Sequence, residues 1–337
     1  MNEINTRVLF KSAPEGMPAE KNFEITHEEI PEPEAGEFLL QNLFLSLDPY
    51  MRMLMGGGWT YSPNTLKPGD LMIGRVIGRV VKTRNPDFPE GTLVVGRLGW
   101  QTYVVSKGDN LDFVVEPNDQ IPISAYLGAC GSTGTTAWVG LKQAGRPKPG
   151  ETVLVSAAAG SVGSTVGQLA TAWGCKAIGI AGGPDKCDMV VEDFGFDACV
   201  DYKAEDLEGQ IKNAAPDGVD VYFDNVGGAV LDAALANMNR LGRIPVCGVL
   251  SAYNETGERY GVKNMHLFFD KSLSMEGFVL SAHKELWSEA RAEIENLIID
   301  GRLVYKETIA DGIENAPAAF IGMLQGKNVG KQIVKLA

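Results

Sequence analysis

The sequence has little histidine, little cysteine and a deficit of positive charge. Its 337 residues include three histidines, five cysteines, and 30 Lys plus Arg against 43 Asp plus Glu, for a formal net charge of −13. A nucleic-acid-binding face needs a basic footprint, so this balance argues against that class of partner. It also disfavours docking on an anionic membrane. The cysteines, Cys130, Cys175, Cys187, Cys199 and Cys247, are odd in number and widely spaced. Such a set does not build a disulfide framework and suits a reducing cytoplasm. No C-x-x-C or H-x-x-x-H pair occurs, and His27, His266 and His283 lie far apart. No zinc site is therefore expected.

Other absences narrow the reading further. No apolar run approaches the ~20 residues that cross a bilayer. Met1 to Asn5 lacks a charged segment leading into an apolar one, so no secretory signal is expected. There is no G-x-S-x-G elbow; Gly131-Ser132-Thr133-Gly134 has the wrong spacing for a serine hydrolase. Gly326-Lys327-Asn328-Val329-Gly330-Lys331 is one residue short of a P-loop and is followed by Gln332 where Ser or Thr is required.

What is present divides into two halves. Up to about residue 125 the chain reads as short strands broken by turns, among them Phe38 to Leu43, Met72 to Ile77 and Trp100 to Val105. This pattern predicts a small irregular β-barrel. From about 150, short apolar runs alternate with amphipathic helical segments. Val153-Leu154-Val155 is followed by Val162, Val166, Leu169, Ala170 and Trp173 on one helical face. The runs at Ala177–Ile180, Ala198–Val200, Val219–Phe223 and Arg243–Cys247 continue the series, and a long helix is expected from about His283 to Asp300. Alternation of this kind predicts an α/β fold with a doubly wound parallel sheet. The tail, Thr308 to Leu336, reads as one more helix and the strand Lys331 to Lys335, returning to the first domain. The expected division is 1–128 with 304–337, and 129–303 inserted between them.

The first βα turn carries the chemistry. Ala157-Ala158-Ala159-Gly160-Ser161-Val162-Gly163 is an A-x-x-G-x-x-G variant of the dinucleotide fingerprint, placed between a buried strand and a helix. Glycines let backbone approach a pyrophosphate, and the helix start offers free N–H groups and partial positive charge. The second strand ends Ile180-Ala181-Gly182-Gly183-Pro184, with no acid at its tip to bind a ribose 2′-hydroxyl. Gly182 leaves room for a 2′-phosphate and Lys186 can neutralise it, which favours NADP. Asp185 is the competing acid, but it reads as a first-turn helix residue, where negative charge is favourable. A plain surface lysine is the alternative for Lys186 alone.

Together these residues resemble the medium-chain dehydrogenase/reductase superfamily, and within it the zinc-free branch of prostaglandin reductases, plant double-bond reductases and bacterial curcumin reductases, the last being nearest. The similarity runs nearly end to end. Its landmarks are Leu45–Arg52, Ala157–Gly163, Asp224-Asn225-Val226-Gly227-Gly228, Pro245–Asn254 and Gly326–Lys331. The resemblance implies a GroES-like β-barrel catalytic domain plus a Rossmann domain, an active site in the cleft between them, and a homodimer.

It further implies that Gly160, Ser161, Val162 and Gly163 hold the pyrophosphate of NADP(H), while Lys186 and Tyr202, beside Gly182, contact its 2′-phosphate. Asn225 would lie near the cofactor. Cys247, Gly248, Ser251 and Tyr253 would line its path, and Phe278, Val279, Leu280 and Asn328 would position the nicotinamide half. The implied reaction is NADPH-dependent reduction of the C=C bond of enones and enals, with Tyr253 stabilising the enolate; Tyr50 is a second candidate, for gripping substrate, with a packing aromatic at the barrel edge as its alternative. The alternatives are a quinone or alcohol oxidoreductase on the same scaffold, or a non-catalytic NADPH-binding protein. One segment departs from the family pattern. Relatives commonly carry Met-Pro-Gly-aromatic-or-Leu-Thr-Ala, and this chain has Ser132-Thr133-Gly134-Thr135-Thr136-Ala137.

Overall fold

The computed structural model describes residues 4–56 and 65–337; Met1, Asn2 and Glu3 of the N-terminal stretch read above lie outside them. The chain forms two compact units, Met1–Gly128 with Glu307–Ala337, and Ala129–Lys306.

The first unit opens with an antiparallel ribbon, β1 (Ile4–Phe10) and β2 (Phe23–Glu29). Then come β3 (Phe38–Ser46), the short helix α1 (Tyr50–Leu54), β4 (Val76–Thr83), β5 (Leu93–Gly96), β6 (Tyr103–Ser106) and β7 (Leu111–Val115). Two of the expected strands are displaced. Met72 to Arg75 is outside regular strand, although Met72 exchanges backbone hydrogen bonds with Val8 and Trp100. A Cβ at Gly74 would stand 2.6 to 2.9 Å from the Leu45 and Trp100 side chains, so the chain passes here only as glycine. Likewise, regular strand begins at Tyr103 rather than Trp100.

The second unit begins with α2 (Ser132–Val139) and enters a strictly alternating series: β8 (Thr152–Ser156), α3 (Ser161–Ala172), β9 (Lys176–Ala181), α4 (Pro184–Glu192), β10 (Ala198–Asp201), α5 (Leu207–Ala214), β11 (Val219–Phe223), α6 (Gly228–Asn237) and β12 (Met238–Val246). After α7 (His266–Asp270) come β13 (Ser274–Gly277) and α8 (Trp287–Ile299). All pairings in its sheet are parallel, in the order β10-β9-β8-β11-β12-β13. Counted from β8 this is 3-2-1-4-5-6, the doubly wound dinucleotide-binding order, whose direction reverses between β8 and β11. The sequence logic is plain: every residue of β8 is buried, as a strand covered on both faces requires. Helix α3 packs against the sheet region at small residues. A Cβ at Gly167 would fall 1.8 Å from the Phe196 ring.

The tail returns to the first unit as β14 (Glu307–Asp311), α9 (Ala316–Leu324) and β15 (Lys331–Lys335), extending that unit's seven-stranded sheet to the order β14-β15-β3-β4-β5-β7, with β6 on β3. Strand β14 is not foreshadowed by the sequence pattern. Its five residues are all partly or fully exposed and lie at a sheet edge, so no apolar run marks them.

Candidate functional site

The pyrophosphate turn leaves β8 at Ser156 and tightens at once. Ala157 sits at φ +52°, and its carbonyl accepts from Gly160 N–H at 2.9 Å. The two fingerprint glycines have different reasons to be glycine. A Cβ at Gly163 would lie 2.3 Å from the Ala157 carbonyl oxygen, so the turn's own packing demands glycine there. At Gly160 a Cβ would meet only Ala157 O, at 3.2 Å. Packing leaves the Gly160 face open, as close approach of a phosphate needs. Gly160 is the N-cap of α3 and contributes no side-chain cap, so the first-turn N–H groups of Ser161, Val162 and Gly163 are available to an anion. The Val162 side chain packs on the core. Ser161 Oγ lies 2.7 Å from Thr133 Oγ1 on α2.

At the end of β9, Gly182 is roofed by Tyr202. A Cβ on Gly182 would stand 2.8 to 3.0 Å from the Tyr202 ring and hydroxyl. Gly183, at φ +98°, turns the chain into α4, where Asp185 occupies the first turn as expected. The Asp201 carboxylate is consumed by backbone: it accepts from Gly183 N–H at 2.7 Å and Lys203 N–H at 2.9 Å, and these bonds hold its pKa below the usual range. Lys186 is pushed down, first by burial and then by the like charge of Lys203. Lys186 and Lys203 are thus near enough to repel each other, and in the chain they follow Gly182 by one helical turn and Tyr202 by one residue. A dianionic phosphate would relieve their repulsion.

The third group gathers at the switch point. Asp224, 1% exposed, accepts at one carboxylate oxygen from Tyr222 Oη at 2.8 Å, Val226 N–H at 2.9 Å and Gly227 N–H at 2.8 Å, with Ser156 Oγ at 3.4 Å. Burial pushes its pKa up, and those donors only partly offset the effect. Asn225 is clamped to β8 by its N–H to Ser156 Oγ at 2.9 Å and its Nδ2 to Ser156 O at 2.7 Å.

The segment after β12 is sewn to the same strand end. Cys247 and Gly248 N–H donate to Asp224 O, Leu250 N–H to Asn225 O, and Ser251 Oγ to Val226 O at 2.7 Å. Burial, then Asp224, pushes the Cys247 thiol up to about 12, so it is an inert packing group. A Cβ on Gly248 would be 3.3 Å from both the Tyr253 hydroxyl and Asn225 O, which brings that phenol to the edge of this strand end.

Of the three residues after β13, Phe278 turns inward. Its ring abuts Gly140 and meets Phe223 edge-on at a centroid distance of 6.1 Å. Val279 is 52% exposed, and Leu280 packs partly on the core while its carbonyl accepts from Trp287 Nε1.

Tyr50 and Asn328 belong to the other unit. Tyr50 is the half-buried first residue of α1, within electrostatic reach of Arg75. Asn328 Nδ2 donates to Gly330 O at 3.0 Å in the turn before β15.

The three groups of the second unit can hold a dinucleotide with a 2′-phosphate: an open glycine face, a glycine–tyrosine niche with two lysines, and a clamped asparagine beside a phenol. A family model described as the N-terminal domain of oxidoreductase matches residues 6–114, and one described as zinc-binding dehydrogenase matches 161–296. The NADPH-dependent curcumin reductase of Escherichia coli (strain K12) is 40% identical over 99% of this chain and 97% of its own. The chain belongs to the medium-chain dehydrogenase/reductase superfamily. Within that superfamily its branch is that of the prostaglandin and curcumin reductases. Prostaglandin reductase 1 of Sus scrofa is 42% identical over 95% of both chains. The crystal structure of CurA in complex with NADPH from Vibrio vulnificus superposes with a TM-score of 0.92 at 38% identity, covering 98% of this chain and 99% of that one.

The sequence pattern did not single out Asp224, Ser156, Asp201 and Lys203 as members of the candidate site. Asp224 and Asp201 each end a buried or half-buried strand, and an acid at such a place is a signal that could have found them. Ser156 carries no signal of its own, being one small residue at the end of an apolar run.

Proposed function

We propose that this NADPH-dependent oxidoreductase reduces the carbon–carbon double bond of α,β-unsaturated ketones and aldehydes. The observation that carries the reading is the Tyr253 hydroxyl, held at the strand end occupied by Asn225 and Gly248. The names borne by the relatives, curcumin reductase and prostaglandin reductase, support it. In this reading Gly160 to Gly163 hold the pyrophosphate, and Lys186 and Tyr202 at Gly182 hold the 2′-phosphate. Asn225, Cys247, Gly248, Ser251 and the 278–280 segment line the remainder, with Asn328 at the nicotinamide half.

Bound NADPH supplies a hydride to the β-carbon of the substrate. Negative charge then develops on the substrate carbonyl oxygen, and a hydrogen bond from Tyr253 stabilises it as it forms. Protonation at the α-carbon completes the reduction, with Tyr253 or water as donor. Tyr50 grips the substrate. The chemistry is read as zinc-independent.

The chain is further read as a cytoplasmic homodimer. Five free cysteines suit a reducing compartment, and among the described residues no helix is long and apolar enough to cross a membrane. For the dimer, β13 is a solvent-exposed strand at the edge of the parallel sheet.

The test is NADPH consumption against enals, enones and a diarylheptanoid, beside quinones and secondary alcohols, for the wild type and Tyr253→Phe. Turnover is expected on the enones, reduced about 100-fold in the variant with NADPH affinity unchanged. Preference for quinones, or undiminished turnover in Tyr253→Phe, would overturn the reading.

A further inference from the structure

Helix α2 carries three threonines, and their hydroxyls do different things. Thr135 Oγ1 donates to Gly131 O at 2.8 Å and Thr136 Oγ1 to Ser132 O at 2.7 Å, each bonding back within its own helix turn. Thr133 Oγ1 instead reaches another helix, meeting Ser161 Oγ at 2.7 Å. Ser161 is the first residue of α3, inside the pyrophosphate turn. A Cβ at Gly134, the next residue, would fall 1.7 Å from Ala129 O, so the backbone at the start of α2 lies tightly on the preceding turn.

We propose that Thr133 is a cofactor-positioning residue that acts through Ser161. The inference rests on the reading of Gly160 to Gly163 as the pyrophosphate turn. Each hydroxyl has one proton and two lone pairs. At 2.7 Å either hydroxyl can donate; the arrangement in which Thr133 donates is the one that leaves the Ser161 proton for a bound phosphate. A hydroxyl that accepts one hydrogen bond donates a second more strongly, and the acceptor offered at this turn is a phosphate oxygen. In that arrangement Thr133 leaves Ser161, the first residue of α3, as a donor to the phosphate.

The experiment measures equilibrium binding of NADPH and of adenosine 2′-monophosphate, which carries the 2′-phosphate but no pyrophosphate. The proteins are wild type, Thr133→Val, Thr133→Ser, Ser161→Ala, the double variant Thr133→Val with Ser161→Ala, and Gly160→Asp. Thr133→Val should raise the NADPH Kd about five- to tenfold, the size of one lost hydrogen bond. It should leave adenosine 2′-monophosphate binding as in wild type. Thr133→Ser should restore NADPH binding, and the double variant should be no weaker than Ser161→Ala alone, because both substitutions remove one donor.

Wild-type NADPH binding in Thr133→Val, equal weakening toward both ligands, or additive losses in the double variant would each overturn the proposal. Gly160→Asp separates the two levels. If an acid there weakens NADPH while Thr133→Val does not, only the role of Thr133 falls. If Gly160→Asp binds NADPH as wild type does, the pyrophosphate reading falls and this inference with it.

Discussion

The Lys331 ammonium lies 2.5 Å from a carboxylate oxygen of Asp48, with both side chains buried. Lys331 also donates to Leu47 O at 2.9 Å, and Ser46 Oγ donates to the other Asp48 oxygen at 2.5 Å. The pair ties the start of β15, three residues beyond Asn328, to the corner two residues before Tyr50. The ion pair adds to the β15–β3 pairing and to the Leu47 N–H bond to Gln332 O, which join the same two stretches.

Asp48→Asn should therefore cost stability on the order of 3 kcal/mol, because it leaves a buried ammonium without its counter-charge. Burial alone would raise the Asp48 carboxyl. Attraction and hydrogen bonding from Lys331, then Ser46 and the charge of Arg75, outweigh it and hold the carboxyl below its ordinary 3.8. A depressed folded value means that the stabilisation is complete above the ordinary value and is lost as pH falls through the depressed one. Denaturant melts from pH 6 downward should show the wild type losing stability below about pH 4. Asp48→Asn, already weakened, should lose less over the same range. Parallel losses in the two proteins would show that the pair is not the cause.

Lys186 and Lys203 are expected to read the 2′-phosphate together. Lys186→Ala should weaken NADPH about tenfold or more and NADH little, and Lys203→Ala should show the same preference with a smaller loss. Added salt should narrow the gap between wild type and variants, since the ammonium groups are partly exposed. Equal losses toward both cofactors in Lys186→Ala would remove the assignment.

Asp224→Ala should destabilise the second unit by about 3 kcal/mol, because it strands the Tyr222 hydroxyl and two backbone N–H groups in a buried place. Asp224→Asn keeps an acceptor oxygen and should cost less. Both variants should weaken NADPH through the displaced Asn225, measured by fluorescence titration. An Asp224→Ala protein that melts and binds like wild type would refute the role.

The edge strand β13 carries Met275, 40% exposed, and is accompanied by the exposed apolar residues Phe269 at 88% and Val279 at 52%, with Leu241 at 69% on the neighbouring β12. An open sheet edge with this lining pairs readily with another copy. Phe269→Asp with Met275→Lys should convert a dimer into a monomer in light scattering at micromolar concentration. A wild type that is monomeric there would sink the expectation.

The parallel sheet was legible in the chain because a strand buried on both faces must be a short apolar run, and a helix covering it must repeat every 3.6 residues. Val153 to Val155 and Val219 to Phe223 announce themselves in this way. Strand β14 does not, since it lies at an edge and buries no residue completely. The Met72 to Ile77 run misled for the opposite reason. It is apolar enough for a strand, yet Gly74 passes so close to Leu45 and Trp100 that regular pairing begins only at Val76.

By itself the sequence determined the doubly wound sheet, the glycine turn and the residues at the tip of the second strand. Each of these is written in a run of neighbours, where sterics and burial period act locally. Only the tertiary structure decided how the site is braced. Thr133 meets Ser161 across 28 residues, Ser156 meets Asp224 across 68, and Asp48 meets Lys331 across 283. A hydroxyl, a carboxylate or an ammonium has no periodicity to betray its partner. Its choice is made when desolvation forces every buried polar group to find a complement among whatever the fold has brought near.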